Sequence, residues 1–485
     1  MNKKMKKLLS KLGMVLTVTA ISTTSLMATE VAQEPQFSNW AHKDLYDAQN
    51  YGILDAAWVQ DGMKGTIDTT TFSGLQQLVQ NKLAAIPGTK PKDASSALTT
   101  STEITKQEVL NMLYATLQNN EYEHELKLDL EGEAITTYMQ ELEVIKGDGK
   151  SLGLDAPCTE EQAVVMARRF IESVYDVCDA DSTGLFWKVE KNGNTVYMLG
   201  AIHFGRASMY PMSDDIENAY DDSDEFAVEV NILKPAPQEA MDIQMYSDGT
   251  TIKDHLDEED YEILVEALQK YNITPEALGT YKDWVIAQIL NNLQTLDTSA
   301  GDGMEAVNVD GIDGYYMNVA TIQNRPITEL ESHMLQLEMM DNKGAEYKEL
   351  ELAMAIESLV SDEKPSEEEL SEAATQLNEM AAYWCQGDAA KLKDYVFTKE
   401  EGELDTSDLT EEEKELVEKA LQQADDFKKV FWDDRDKGMA EKIEAMLNSE
   451  EGKTYFVTVG AGHYISDTGI IGYLKDKGYE VTQIK

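Results

Sequence analysis

The stretch "TVYMLGAIHFG" (residues 195–205) runs an apolar, strand-like segment straight into Gly-x-x-His. "YFVTVGAGHYI" (455–465) does the same 260 positions later. A glycine ending a buried strand lets the backbone turn sharply. The residues after it then emerge at the carboxyl edge of a sheet, where α/β folds bind ligands. If the two strands are neighbours, His203 and His463 project into one place. A third segment, "EFAVEVN" (225–231), alternates with the period of a strand. It puts Phe226, Val228 and Val230 on one face and Glu229 on the other, near the strand's end. His203, Glu229 and His463 then form a His-His-Glu set with one coordination position open. A divalent cation held there polarises a carbonyl and acidifies water, the requirement for hydrolysis at neutral pH. Two imidazoles and a carboxylate suit zinc, manganese or cobalt alike. Glu229 is on this reading either a ligand or a general base beside the cation.

Working outward, "LFWKVEKNGNTVYMLGAIH" (185–203) is two strand-like runs around Asn192-Gly193, a hairpin signal. "DDIENAYDDSDEFAVEVNI" (214–232) gives a helix and then a strand over 225–230. Residues 257–294 are amphipathic helices. "GIDGYYMNVATIQNRPITELES" (311–332) gives a helix, a strand led by Pro326 and a loop. A helical block runs from about 333 to 449 and includes the acidic stretches "SDEKPSEEELSE" (361–372) and "KEEGELDTSDLTEEEKE" (399–415). The chain closes with a strand at 454–459, a helix at 467–478 and a strand at 480–484. Strands therefore bracket a mostly helical middle, and both ends of 184–485 belong to one sheet. The expected class is α+β or α/β: a mixed central sheet with a large helical insertion, preceded by an all-α domain. Other hydrolytic and nucleotide-binding signatures are missing, with no His-Glu-x-x-His, no Gly-x-Ser-x-Gly and no phosphate-binding loop.

The all-α region spans 36–177. Within it "FSNWAHKDLYDAQNYGILDAAW" and "IDTTTFSGLQQLVQNKLAAI" are echoed by "EAITTYMQELEVIKGDG" and "LDAPCTEEQAVVMARRFIESVY". Each copy is a helix, a glycine-containing loop and a helix opened by threonine. Thr159 and Gln162 fit a capping box, and "ITKQEVLNMLYATLQ" (104–118) is a further helix of that style. "IPGTKPKDASSALTTST" (86–102) is a linker by composition. Ahead of it all, residues 1–28 carry five lysines and then a short apolar run ending at Ala28. That order is expected of a secretory signal, which places the protein outside the cell or in its envelope. No later stretch is apolar and long enough to span a bilayer.

The formal net charge of −50 over 485 residues opposes any nucleic-acid partner, because nothing would offset phosphate repulsion. Three cysteines, Cys158, Cys178 and Cys385, cannot pair completely within one chain, so the fold must rest on its core. Cys158 and Cys178 flank one predicted helix and are the pair that could meet.

Two resemblances follow. Residues 36–177 resemble surface-layer homology modules, which implies contact with cell-wall polymer through the helices and Trp40. That family usually has Thr-Arg-Ala-Glu at the second helix, and this chain has "TTTF", "TKQE" and "TEEQ" without the arginine. The motifs "MLGAIHFG", "EFAVEVN", "GIDGYYMNVATIQNRPITELES" and "VTVGAGHYISDTGIIGYLKDKGYEVTQI", in that order, resemble the TraB/GumN family, which includes the Wnt-inactivating TIKI metalloproteases. The resemblance covers 184–485. It implies that His203, Glu229 and His463 are the catalytic metal-site residues. Glu331 matches the acidic position of the "LE(S/T)" segment, Gln336 the glutamine after it, and Arg435 an arginine usually followed by asparagine. Here Asp436 follows instead, and His463-Tyr-Ile-Ser replaces the usual His-Leu-x-Gly. Arg435 has the chemistry to bind a carboxylate or to orient Glu331. The expected activity is metal-dependent hydrolysis of a peptide or protein. The alternative is a non-catalytic envelope protein that binds or sequesters peptide signals.

Overall fold

Asn192 and Gly193 both take left-handed backbone angles (φ 56° and 82°), the geometry that a two-residue hairpin turn demands. They join strand β1 (Leu185–Lys191) to β2 (Asn194–Ala201) in antiparallel register, from Leu185 opposite Gly200 to Lys191 opposite Asn194. The computed structural model describes residues 37–92, 103–147, 151–299, 309–360, 367–397 and 410–485. The targeting segment expected over 1–28, much of the 86–102 linker and parts of both acidic stretches lie outside the described residues.

Four more strands complete the sheet: β3 (Glu225–Val228), β4 (Ile327–Glu329), β5 (Thr454–Gly460) and β6 (Val481–Ile484). The order across it is β4-β3-β5-β2-β1-β6. β2, β5, β3 and β4 run parallel, while β1 is antiparallel to both β2 and β6. The sheet is therefore mixed, and strands from both ends of 185–484 lie side by side at its centre. Ala201 stands opposite Gly460, so both Gly-x-x-His motifs leave the same edge from adjacent strands.

Alternate residues of a strand face opposite sides. Phe186 and Phe456 face one side with Phe226, against Tyr220 of helix α7 (Asp214–Asp221) and Tyr316 of helix α8 (Ile312–Ile322). These five rings are fully buried, each contributing roughly 2–3 kcal/mol of burial. Trp187, one residue on from Phe186, faces the other side and meets Tyr464. Between β3 and β5 the chain is helical apart from β4 and builds two smaller cores, one around Leu264, Leu290 and Ile356 and one around Trp284, Tyr347 and Phe431. The second touches the site described below.

The N-terminal helices are α1 (His42–Asn50), α2 (Ala56–Asp61), α3 (Thr69–Ala84), α4 (Lys106–Gln118), α5 (Glu133–Glu141) and α6 (Glu160–Val177). Capping boxes form at Thr105 with Glu108 and at Thr159 with Gln162. The first threonine-rich segment differs: Asp68, not a threonine, caps α3, accepting from Thr71 N. A short carboxylate aimed at the first turn's free N–H groups does the same work with a full charge. One continuous apolar cluster runs from Leu45 and Phe170 in these helices through to Phe456 and Met439 beside the sheet. Cys158, Cys178 and Cys385 are all free thiols, so Cys158 and Cys178 do not pair. Among the described residues no helix is long and apolar enough to cross a membrane.

Candidate functional site

His203 follows β2 by two residues and His463 follows β5 by three. The chain does turn after Gly460, from strand straight into helix, but neither motif glycine takes a left-handed φ, so the turn does not draw on glycine's extra backbone freedom. Both glycines are there for space. A methyl on Gly200 would sit 3.1 Å from the Ala461 Cα and 3.3 Å from the Leu185 Cβ. A methyl on Gly460 would lie 3.2 Å from His203 Nε2, 3.5 Å from His463 Cδ2 and 3.7 Å from Glu229 Oε2. The three residues proposed from sequence are thus gathered around the backbone of Gly460. His463 itself lies in a short helix, Ala461–Ile465, instead of an extended segment.

Each imidazole is held at Nδ1 by a carboxylate. His203 Nδ1 lies 3.0 Å from Asp313 Oδ2, and His463 Nδ1 lies 2.5 Å from Asp436 Oδ1. Asp436 also accepts from Ser466 Oγ at 2.9 Å. With the proton placed on Nδ1 by these partners, His463 turns Nε2 toward Glu229 and His203 turns Nε2 toward Gly460. His463 Nε2 stands 4.0 Å from Glu229 Oε2. Its ring packs beside Phe431 and Trp432, with centroids at 5.8 and 4.9 Å. Both aromatics belong to a π-helical turn, Val430–Asp434, of the kind that often marks functional positions.

Glu229 is fixed from three sides. Arg435 Nη2 donates to Oε1, Gln336 Nε2 donates to Oε1 at 2.8 Å, and the Gly460 N–H points at Oε2 from 3.4 Å. Arg435 also grips Glu331, with Nε 3.0 Å from both oxygens and Nη2 2.8 Å from Oε2. Gln336 donates to that carboxylate too, at 3.1 Å. Glu331 reaches the site because its own N–H bonds the Glu229 carbonyl at 2.8 Å, extending the β3–β4 pairing. All six residues singled out from sequence therefore meet here. Sequence reasoning had not given a site role to Asp313, Asp436, Phe431 or Trp432. Asp313 lies inside a motif already quoted, in the first turn of α8, and Asp436 had been noted only for replacing asparagine.

Burial pushes the Glu229 carboxyl up, but Arg435 and then the two imidazoles outweigh it and bring it down to about 2. At neutral pH Glu229 is therefore an anion, the form that a ligand to a cation or a general base requires. Asp313 is the main cause that raises His203 to about 9, against the opposing effect of burial. A cation at His203 Nε2 must therefore displace a proton. Burial raises the Asp436 carboxyl, with His463 and Ser466 acting the other way. With both imidazoles neutral, the carboxylates Glu229, Glu331, Asp313 and Asp436 face the single guanidinium of Arg435.

The donor types, two imidazoles and a carboxylate, are those a divalent cation takes. The spacing is looser than a closed centre: ligands of tetrahedral zinc stand about 3.3 Å apart. Among the described residues no group of three or more His, Cys, Asp or Glu side chains is drawn together tightly enough to hold a metal ion. No curated protein matches the chain, and no solved structure does. The family model TraB/PrgY/gumN matches residues 185–483, which hold all six sequence-selected residues, Asp313 and Asp436. That is more than half of the chain, and the protein belongs to the TraB/PrgY/gumN family.

Proposed function

We propose that the protein is an exported metal-dependent hydrolase acting on peptide or protein, with His203, Glu229 and His463 as the cation's ligands. One observation carries this reading: two imidazoles, each held at Nδ1 by a carboxylate, gather with an anionic glutamate around Gly460. Carboxylate–histidine pairs of this form orient metal ligands and raise their basicity. A divalent cation there supplies Lewis acidity toward a carbonyl and an acidified water. Asp313 and Asp436 keep the rings aimed. Arg435 and Gln336 keep Glu229 ionised and pointed inward, and Glu331 balances Arg435. The excess of negative charge favours a dication over any anionic ligand. Manganese, cobalt and zinc all suit the set.

Export and an envelope location are supported by the basic-then-apolar start, and contact with wall polymer by the threonine-capped helices of 36–177. A second reading, a peptide-binding protein without turnover, is favoured by one observation. Arg435 and Gln336 both occupy Glu229 Oε1, leaving only Oε2 for a ligand.

The test is hydrolysis of a peptide library by full-length protein, stripped with chelator and reloaded with manganese, cobalt or zinc. Cleavage restored by metal and lost in His203→Ala supports the hydrolase. Peptide retention that survives His203→Ala, with no cleavage under any metal, selects the binding protein.

A further inference from the structure

His203 sits on the sheet, but what holds it begins in the N-terminal helices. The segment 310–313 clamps the end of β2 from one side. Phe204 pairs with Asp310 across an isolated antiparallel bridge, and the Ile312 N–H bonds the Ile202 carbonyl at 3.0 Å. Gly311 lies so close to the His203 carbonyl that a methyl on it would be 2.3 Å away, and a methyl on Gly205 would be 2.2 Å from the Asp310 carbonyl. Three residues after Asp310, Asp313 takes the His203 ring at Nδ1. One short segment thus fixes both the backbone and the imidazole of His203.

Helix α1 grips that segment from its far side. Tyr46 Oη donates to Asp310 Oδ2, and Asn50 Oδ1 accepts from the Asp310 N–H at 2.9 Å. Asn50 is fully buried and its amide also ties back to the Tyr46 carbonyl at 2.9 Å. The Tyr46 ring stacks on Tyr315 at 5.7 Å, and Tyr315 Oη donates to Asp47 Oδ1 at 3.0 Å. Arg168 of α6 and Lys43 of α1 in turn hold Asp47, at 2.9 and 3.0 Å. The His463 ring is held from elsewhere: its Nδ1 partner is Asp436, and Asp436 in turn accepts from Ser466, both within 436–466.

We infer that Tyr46 and Asn50 are positioning residues for His203, acting through Asp310 and Asp313, so that the N-terminal helices are a working part of the site. This rests on the reading of His203 as a site residue, and one arm of its test does not depend on metal. The experiment uses the full chain in three variants. Tyr46→Phe removes one hydroxyl and keeps the ring on Tyr315. Asn50→Ala removes the acceptor for Asp310. Tyr114→Phe is the control, deleting a hydroxyl that bonds Lys127 O and Leu130 N within the same helical region.

The first readout is the long-range proton–nitrogen spectrum of histidine-labelled, metal-free protein, with His203 identified by its loss in His203→Ala. Tyr46→Phe and Asn50→Ala are expected to shift or broaden the His203 nitrogens and leave those of His463 unmoved. Tyr114→Phe is expected to move neither. The second readout is cobalt affinity by calorimetry, expected to fall about tenfold in the first two variants, the lower end of what loss of an outer partner costs. A His203 signal unchanged in both variants overturns the inference. So does a shift shared equally by His463 or by the control. If Asn50→Ala does not fold, Tyr46→Phe decides. If the parent chain binds no cobalt, the metal reading falls while the histidine spectrum still decides this one.

Discussion

His203 and His463 leave neighbouring strands at nearly the same level, from the same local motif, into opposite surroundings. The His203 side chain is 37% exposed and its carboxylate partner comes from α8, where the N-terminal helices abut the sheet. The His463 side chain is 6% exposed, flanked by two aromatic rings and bound to a fully buried Asp436. Strand and glycine thus decide where an imidazole emerges, while the helix that crosses there decides what it feels. One side of the site is open, and the other is sealed by helix Arg435–Leu447 and the π turn before it.

The largest effect that bears on this contrast is expected on the sealed side. Arg435, 5% exposed, neutralises two carboxylates, and Arg435→Ala leaves both without their guanidinium partner, with Gln336 as the side-chain donor they still share. Loss of one partner of a buried ion pair costs about 3–5 kcal/mol, read by chemical denaturation. A loss under about 1 kcal/mol would mean that water reaches this side after all. Next come the histidines themselves. His463→Ala empties a packed position and strands Asp436, and is expected to cost about 3 kcal/mol. His203→Ala is expected to cost under about 1 kcal/mol. Equal losses would erase the distinction between the two sides.

The two motif glycines sharpen it further. Gly200→Ala drives a methyl into the Ala461 backbone and Leu185, an overpacking expected to cost about 1–3 kcal/mol. Gly460→Ala instead meets the ends of three side chains in the site, and is expected to weaken metal binding more than stability. The smallest effect concerns the seam beside the open side. Burial, with Asp47 and Glu172 adding to it, raises the Glu217 carboxyl to about 7, against Lys43 and Arg168. The folded state thus holds this proton more tightly than the unfolded chain. Its contribution to stability is present below the ordinary pKa of 4.5 and is lost as pH climbs through 7. Glu217→Gln is expected to flatten the fall in Tm between pH 5 and pH 8, by on the order of 1 °C for each kcal/mol involved.

Much of this was legible in the sequence, for identifiable reasons. The hairpin showed because Asn-Gly is nearly obligatory where two successive residues need positive φ. The bracketed sheet showed because period-two runs lie at both ends of a helical middle. His203, Glu229 and His463 could be grouped because each closes such a run. Asp313 and Asp436 were not legible as partners. They come from helices that pack over the strands, and no local pattern encodes which helix face meets which ring. The tie from Tyr46 to Asp310 spans 264 positions and was invisible for the same reason. The glycines were read for the turn and not for the space they leave, because a sequence shows a missing side chain without showing what crowds it.

The most direct measurement is cobalt or manganese binding to metal-free, full-length protein by equilibrium dialysis with elemental analysis. One equivalent should bind, and His203→Ala, which leaves the fold intact, should abolish it. The absence of saturable binding in the parent chain, or an equivalent retained by His203→Ala, would contradict a shared cation between the two histidines and Glu229.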